Sequence, residues 1–148
     1  MPLVIYTDGS CLSNGTRYAK AGVGVYFGDS DPRNISEKLD YPKQTNNAAE
    51  LTAVIRAIEV LNKTNNTEPV KICTDSIYVQ KGITQWIKNW RKNDWKTAKG
   101  TIVENKDLWE QLDVLTNDHD IEFVYIKAHS NIKGNEKADE LANAGALM

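Results

Sequence analysis

The sequence predicts an α/β fold, a five-stranded mixed sheet flanked by helices. Three observations predict it: three short β-like runs crowd the first forty residues, a helical period begins at Asn46, and strands and helices alternate from there to the end. Leu3 to Thr7 is apolar and β-branched and gives way to Asp8-Gly9-Ser10, residue types that break a strand. Ala21 to Phe27 alternates small and large apolar residues around Gly22 and Gly24, and Ile35 to Leu39 is a weaker third strand before Pro42. Runs so closely spaced are most simply an antiparallel meander.

From Asn46, the residues Leu51, Val54, Ile55, Ile58 and Leu61 recur at helical spacing, with Thr45 or Asn46 as N-cap and an end near Asn62. Val70 to Thr74 forms a fourth strand before Asp75-Ser76, and Ile121 to Lys127 a fifth, bounded by Asp118-His119-Asp120 and Ala128-His129-Ser130. Short helices fill the interval, Asn105 to Leu115 being the clearest. Asn135 to Ala146 reads as an Ala-rich helix with an apolar flank at Ala138, Leu141, Ala142 and Gly145.

A chain of 148 residues is expected to form a single domain, 1–148, with one core. Its composition, 41% hydrophobic and 26% charged, argues against disordered and fibrous classes. No apolar run approaches the roughly 18 residues of a membrane span, and Met1 to Tyr6 carries no basic leader, so no membrane partner and an intracellular location are expected. Cys11 and Cys73 are expected to be reduced. No obligate protein partner is evident, and a monomer is expected.

The net charge of −2 argues against a protein that grips nucleic acid by bulk electrostatics. The average hides an asymmetry. Residues 81–100 hold Lys81, Lys88, Arg91, Lys92, Lys96 and Lys99 against Asp94 alone, giving this stretch +5 and the remainder −7. A basic patch on an acidic body suits a phosphate-binding surface beside a carboxylate-rich site.

Thr7-Asp8-Gly9-Ser10 and Thr74-Asp75-Ser76 repeat one arrangement, an acid placed where a hydrophobic strand gives out. If those strands are parallel neighbours, ligands bind near their carboxyl ends. On a helical wheel Glu50 falls about 20° from Leu61, at the edge of the apolar arc. Asp139 likewise borders the arc of Ala138, Ala142 and Ala146. An unpaired carboxylate there is costly, and four such acids on four elements suggest a cation cluster. Oxygen-only ligands suit Mg²⁺ or Mn²⁺, and no Cys/His spacing suggests zinc. Taken singly, each acid has an ordinary use, Asp8 as a turn former, Asp75 as a helix cap, Glu50 and Asp139 as surface charges.

Tyr6-Thr7-Asp8-Gly9-Ser10, Thr45-Asn46-Asn47-Ala48-Ala49-Glu50-Leu51, Thr74-Asp75-Ser76, and His129-Ser130 with Gly134-Asn135-Glu136-Lys137-Ala138-Asp139 resemble, in order, the four motifs of type 1 ribonuclease H. The resemblance runs from about Val4 to Ala144. It implies the ribonuclease H-like fold with strand order 3-2-1-4-5, and endonucleolytic hydrolysis of the RNA strand of RNA/DNA hybrids to 5′-phosphate and 3′-hydroxyl ends. It also implies two Mg²⁺ ions, with Mn²⁺ a possible substitute: Asp8 shared, Glu50 and Asp75 on one ion, Asp139 on the other. A metal pair of that kind serves both the attacking water and the leaving oxygen.

His129, in a loop before the last helix, is expected to shuttle a proton or help release product. Ala128 departs from the glycine common before that histidine. His119 is expected to be a solvated turn residue.

Trp86, Trp90 and Trp95 interleave with Lys88, Arg91, Lys92, Lys96 and Lys99, mixing flat surfaces with phosphate neutralisers. Trp86 and Trp90 share one helix face, and Trp86, flanked by Ile83 and Ile87, is the tryptophan best placed to serve as a core anchor instead. The stretch resembles the family's basic protrusion. By the same resemblance Asn14, Asn46 and Asn47 contact the RNA strand, supported by Cys11 and Ser13, while Lys43, Thr45 and Asn105 form a pocket for a DNA phosphate. Lys43 lacks the bidentate fork of the arginine that some members carry, so a weaker hold is expected there. Two other readings are a non-catalytic hybrid-binding module, which the intact acids disfavour, and a resolvase- or integrase-type transferase, which the loop histidine and terminal Asp disfavour.

Overall fold

A computed structural model describes residues 2–148. The chain order is β1 (Leu3–Leu12), β2 (Lys20–Tyr26), β3 (Ile35–Lys38), α1 (Asn46–Lys63), β4 (Val70–Thr74), α2 (Ile77–Lys81), a π-helical turn (Gly82–Trp86), α3 (Ile87–Lys92), α4 (Lys106–Thr116), β5 (Ile121–Tyr125) and α5 (Lys133–Ala146). The five strands form one sheet in the order β3-β2-β1-β4-β5. β1–β2 and β2–β3 pair antiparallel, β1–β4 and β4–β5 parallel. The expected meander and mixed sheet are both present.

One boundary differs from expectation in a way that shapes the site. β1 does not stop at Asp8-Gly9-Ser10 but runs on to Leu12, because β2 pairs with it antiparallel as far as Leu12 opposite Lys20. The parallel partner β4 ends sooner, with Thr7 opposite Thr74 as the last pair. Asp8 and Asp75 therefore each stand one residue beyond the final parallel pair, and a crevice opens there.

The two faces of the sheet are covered by different chemistry. Val23, Val25 and Ile5 meet α1, whose buried stripe of Leu51, Val54, Ile55, Ile58 and Leu61 follows the expected period. Each such side chain, fully buried, contributes roughly 1.5–3 kcal/mol. α4 packs against α1, with Trp109 wholly enclosed. On the opposite face α5 lies on glycine: a Cβ at Gly22 or Gly24 would come within 2.1 Å or 2.3 Å of α5 backbone atoms. Small residues on both sides bring that helix almost into the sheet.

Short helices do fill the interval between β4 and β5, and over 77–92 they abut as one helical stretch that is not regular throughout. A π turn inserts where Gly82 presses on Trp109, a Cβ at Gly82 lying 2.0 Å from the indole ring. Among the described residues, no helix is long and apolar enough to cross a membrane.

Candidate active site

The crevice at the carboxyl ends of β1 and β4 is a cleft of about 510 Å³ lined by acids from four elements and by His129. Asp8 comes from β1, Glu50 from the first turns of α1, Asp75 from the end of β4 and Asp139 from α5. Carboxylate oxygens of Asp8, Glu50 and Asp75 all lie within 4.8 Å of one another. Asp139 lines the same cleft but stands outside that tight triad.

Each approach has a local cause. Asp8 pairs across the ladder with Gly24, so its side chain shares the α5 face of the sheet. Glu50 arrives from the other layer, past Gly9. A Cβ at Gly9 would lie 2.4 Å from the Glu50 nitrogen, so its absence admits the first turns of α1, and the Gly9 N–H donates to Glu50 Oε1. Thr45 starts α1 as N-cap, its hydroxyl accepting from the Ala48 N–H at 3.1 Å, which fixes the phase that turns Glu50 inward.

The electrostatics are those of a site built for cations. Asp8 is 4% exposed and Glu50 9% exposed, and none of the ion pairs among the described residues involves any of the four acids. Burial pushes the Asp8 carboxyl up to about 8, a rise opposed by its hydrogen bond with Glu50 and reinforced by the negative charge of Asp75 and by Asp139. Burial, then the neighbouring Asp8, hold Glu50 well above the usual carboxylate range. Protons are poor substitutes for the charge such a cluster calls for. A divalent ion with oxygen ligands fits it, and among the described residues no cysteine or histidine pair joins the cluster.

Three residues that sequence reasoning passed over complete the setting. Asn135 Nδ2, in the first turn of α5, donates to Asp75 Oδ2 at 3.1 Å. Asn143 Nδ2 donates to Asp139 Oδ2 at 3.4 Å, while its Oδ1 accepts from the Ser10 hydroxyl. The Tyr78 hydroxyl accepts from Trp109 Nε1 at 3.0 Å and from Asn105 Nδ2 at 3.3 Å. Asn135 and Asn143 could have been found from the period of α5, since each is one turn from Asp139 on the same side. Nothing local announces Tyr78.

The remaining expected contacts fall into two groups. Asn46 and Asn47 line the acidic cleft, and Asn14 joins them through its Oδ1, which accepts from the Asn46 N–H at 3.2 Å. Ser13 follows β1 with a φ of 55°, and the half-buried Cys11 thiol leans on the Gln44 carbonyl at 3.6 Å. Thr45 serves as cap, Lys43 is held by Glu104, and Asn105 is buried in a left-handed conformation with Oδ1 unpartnered. His129 sits on the exposed loop with a φ of 58°, and Asn131 has 64°. The left-handed positions fall on these two residues and not on Ala128, so Ala128 carries no backbone strain of that kind.

Around α3, Trp86 and Trp90 do share a face, their rings 5.8 Å apart. The core anchors, however, are Trp90 and Trp95, which pack against the hydrophobic core, with Trp90 5.3 Å from the ring of buried Trp109. Trp86 instead edges onto Tyr78 at 5.9 Å and stays half-buried. The reason is the π turn, which shifts residues after Gly82 around the helix axis. Lys88, Lys92, Lys96 and Lys99 are exposed, whereas Arg91 is tied to Asp113 of α4. His119 is half-buried in its turn and contacts Asn62, so it is less solvated than expected.

A family model described as RNase H matches residues 1–147. The chain is 44% identical over 144 residues to Ribonuclease H1 of Homo sapiens, an alignment covering 97% of this chain and 50% of the human protein. It thus spans about half the length of the mammalian relatives it matches. Among solved structures it resembles LC9-RNase H1, described as a type 1 RNase H with the type 2 active-site motif, with TM-score 0.79 and 31% identity over 97% of this chain and 71% of that one. It also resembles part of the foamy viral protease-reverse transcriptase in complex with RNA/DNA hybrid, with TM-score 0.78 and 26% identity, covering 97% of this chain and 20% of that one.

Proposed function

Because the chain belongs to the ribonuclease H family, we propose that it is a metal-dependent endonuclease that hydrolyses the RNA strand of RNA/DNA hybrids, leaving 5′-phosphate and 3′-hydroxyl ends. The convergence of Asp8, Glu50 and Asp75 within 4.8 Å, without a basic counterpart, carries this reading. The hybrid as substrate is supported by the foamy viral relative, whose structure is described as a complex with one.

Asp8, Glu50, Asp75 and Asp139 would hold two Mg²⁺ ions, with Mn²⁺ as a substitute. When bound, such ions supply a water able to attack phosphorus at neutral pH and neutralise charge on the departing oxygen. The chain's own residues do the rest. Asp8 and Glu50, both driven toward protonation by burial, would hold the ions as carboxylates, so that metal binding would be coupled to release of their protons. His129 lines the cleft from its exposed loop and would take up or deliver a proton at the phosphate oxygens.

Substrate choice follows from short polar groups beside the acids. Asn46 and Asn47 line the cleft and Asn14 adjoins them, so their amides can donate to or accept from a 2′-hydroxyl, the group that distinguishes RNA. The half-buried Trp86 would offer its ring to the DNA strand while Trp90 anchors the segment to the core, and Lys88, Lys92, Lys96 and Lys99 would neutralise the strand's phosphates.

The test is a labelled hybrid beside matched duplex RNA, duplex DNA and single strands, each with Mg²⁺ and with chelator. Cleavage confined to the RNA of the hybrid, abolished by chelator and by Asp8→Asn, is expected. Preference for duplex DNA, or full cleavage by Asp8→Asn, would reject the proposal.

A further inference from the structure

Lys43 Nζ donates to Glu104 Oε1 at 2.8 Å, joining the segment before α1 to the segment before α4 across 61 residues of sequence. Glu104 also lines a small hollow of about 340 Å³ with Asn14, Gly15, Thr45, Asn46 and Asn47. This is where an anion would settle. It lies at the amino-terminal end of an 18-residue helix, whose dipole favours negative charge even though the Asn46 and Ala48 N–H groups are already given to Asn14 and Thr45, and Lys43 reaches its Glu104 wall.

The protein places its own carboxylate on that lysine. Carboxylate and phosphate oxygens are the same kind of acceptor, and an ammonium lacks the planar fork that would let it grip both firmly at once. Both side chains are more than half exposed, 56% and 61%, so the pair is weak and exchangeable and not a structural clamp. We propose that Glu104 sets the strength with which a nucleic-acid phosphate is held beside the acidic cleft, by competing with it for Lys43. This rests on the reading of the protein as a hybrid nuclease. Glu104 is thus an affinity-limiting residue: a phosphate entering the hollow must displace its carboxylate, and on departure the carboxylate closes back onto Lys43.

The test measures hybrid binding by wild type, Glu104→Gln, Lys43→Met and the double variant, each carrying Asp8→Asn so that binding is read without turnover. A parallel set with Asp8 intact gives KM and kcat. At about 50 mM salt, Glu104→Gln should tighten binding roughly three- to tenfold, as expected for freeing one lysine to pair with a phosphate. The dependence of log K on log salt should steepen by about one unit, and the gain should shrink as salt rises. With Asp8 intact the gain should appear in KM and not in kcat. In the Lys43→Met background Glu104→Gln should gain less than about twofold. Unchanged binding by Glu104→Gln, or an equal gain with and without Lys43, overturns the proposal. If the wild type fails to cut hybrid while Glu104→Gln still tightens binding through Lys43, the nuclease reading fails and the role of Glu104 stands.

Discussion

Asn135 Nδ2 reaches Asp75 Oδ2 at 3.1 Å, so the first turn of α5 holds an acid that belongs to the end of β4. Asn135 is itself buried, 4% exposed, which fixes its amide and through it the direction of the carboxylate. Groups that orient a metal-binding carboxylate from behind typically matter by about 10- to 100-fold. Asn135→Ala is therefore expected to weaken Mg²⁺ activation about tenfold, moving the metal concentration for half activity while the circular dichroism spectrum is retained. A metal titration of activity checks this.

The raised carboxyls make the metal-free protein sensitive to pH. The folded state keeps a proton on Asp8 up to about pH 8, whereas the unfolded chain releases it near pH 4, so stability in chelator falls as pH rises through that window and levels off above it. Thermal melts in chelator should show a lower Tm at pH 8 than at pH 5. Mg²⁺ should raise Tm more at pH 8, and Asp8→Asn should flatten the profile. A Tm that rises with pH in chelator would contradict the assignment of these groups as buried and unpaired.

Gly9 admits α1 by having no side chain, and the atoms a Cβ would strike are backbone and Ala49, none of which can swing aside. Gly9→Ala should cost about 3 kcal/mol, a fall in Tm of roughly 6–12 °C, and should displace Glu50 as well. Gly28→Ala is the control, since nothing lies within 4 Å of its Cβ position, and a change below about 1 kcal/mol is expected. Denaturant melts of both variants check the contrast.

The exposed lysines and Arg91 should separate by assay. Replacing Lys88, Lys92 and Lys96 by alanine should raise KM and reduce the salt slope of binding by about 0.9 for each phosphate that is no longer neutralised. Arg91→Ala should instead lower stability by about 0.5–1 kcal/mol by removing its pair with Asp113, with a smaller effect on the slope. Salt titrations and melts together distinguish the two roles.

The inward acids were legible because local periodicity governs them. Glu50 and Asp139 are marked by helical spacing, and helices α1 and α5 formed where that spacing predicted. The end of β1 was not legible, since whether a strand continues past Asp8-Gly9-Ser10 depends on a partner, and β2 supplies one through Lys20. Gly9 has the residue type of a turn but the use of a packing gap. The same limit hides the π turn, which answers to Trp109 from another helix, and the hydrogen bonds of Glu104 with Lys43 and Tyr78 with Asn105, each made between residues remote in sequence.

The parallel register of β1 and β4 ties chemistry to folding more tightly than a loop-borne site would. Because side chains alternate along a strand, sliding one of these strands by a single position would send its acid to the α1 layer and leave the other alone. There is no partly aligned sheet in which the triad is half as good. Competence to bind divalent ions should therefore return in the same kinetic phase as the central strands during refolding, with no slower maturation of the centre afterwards.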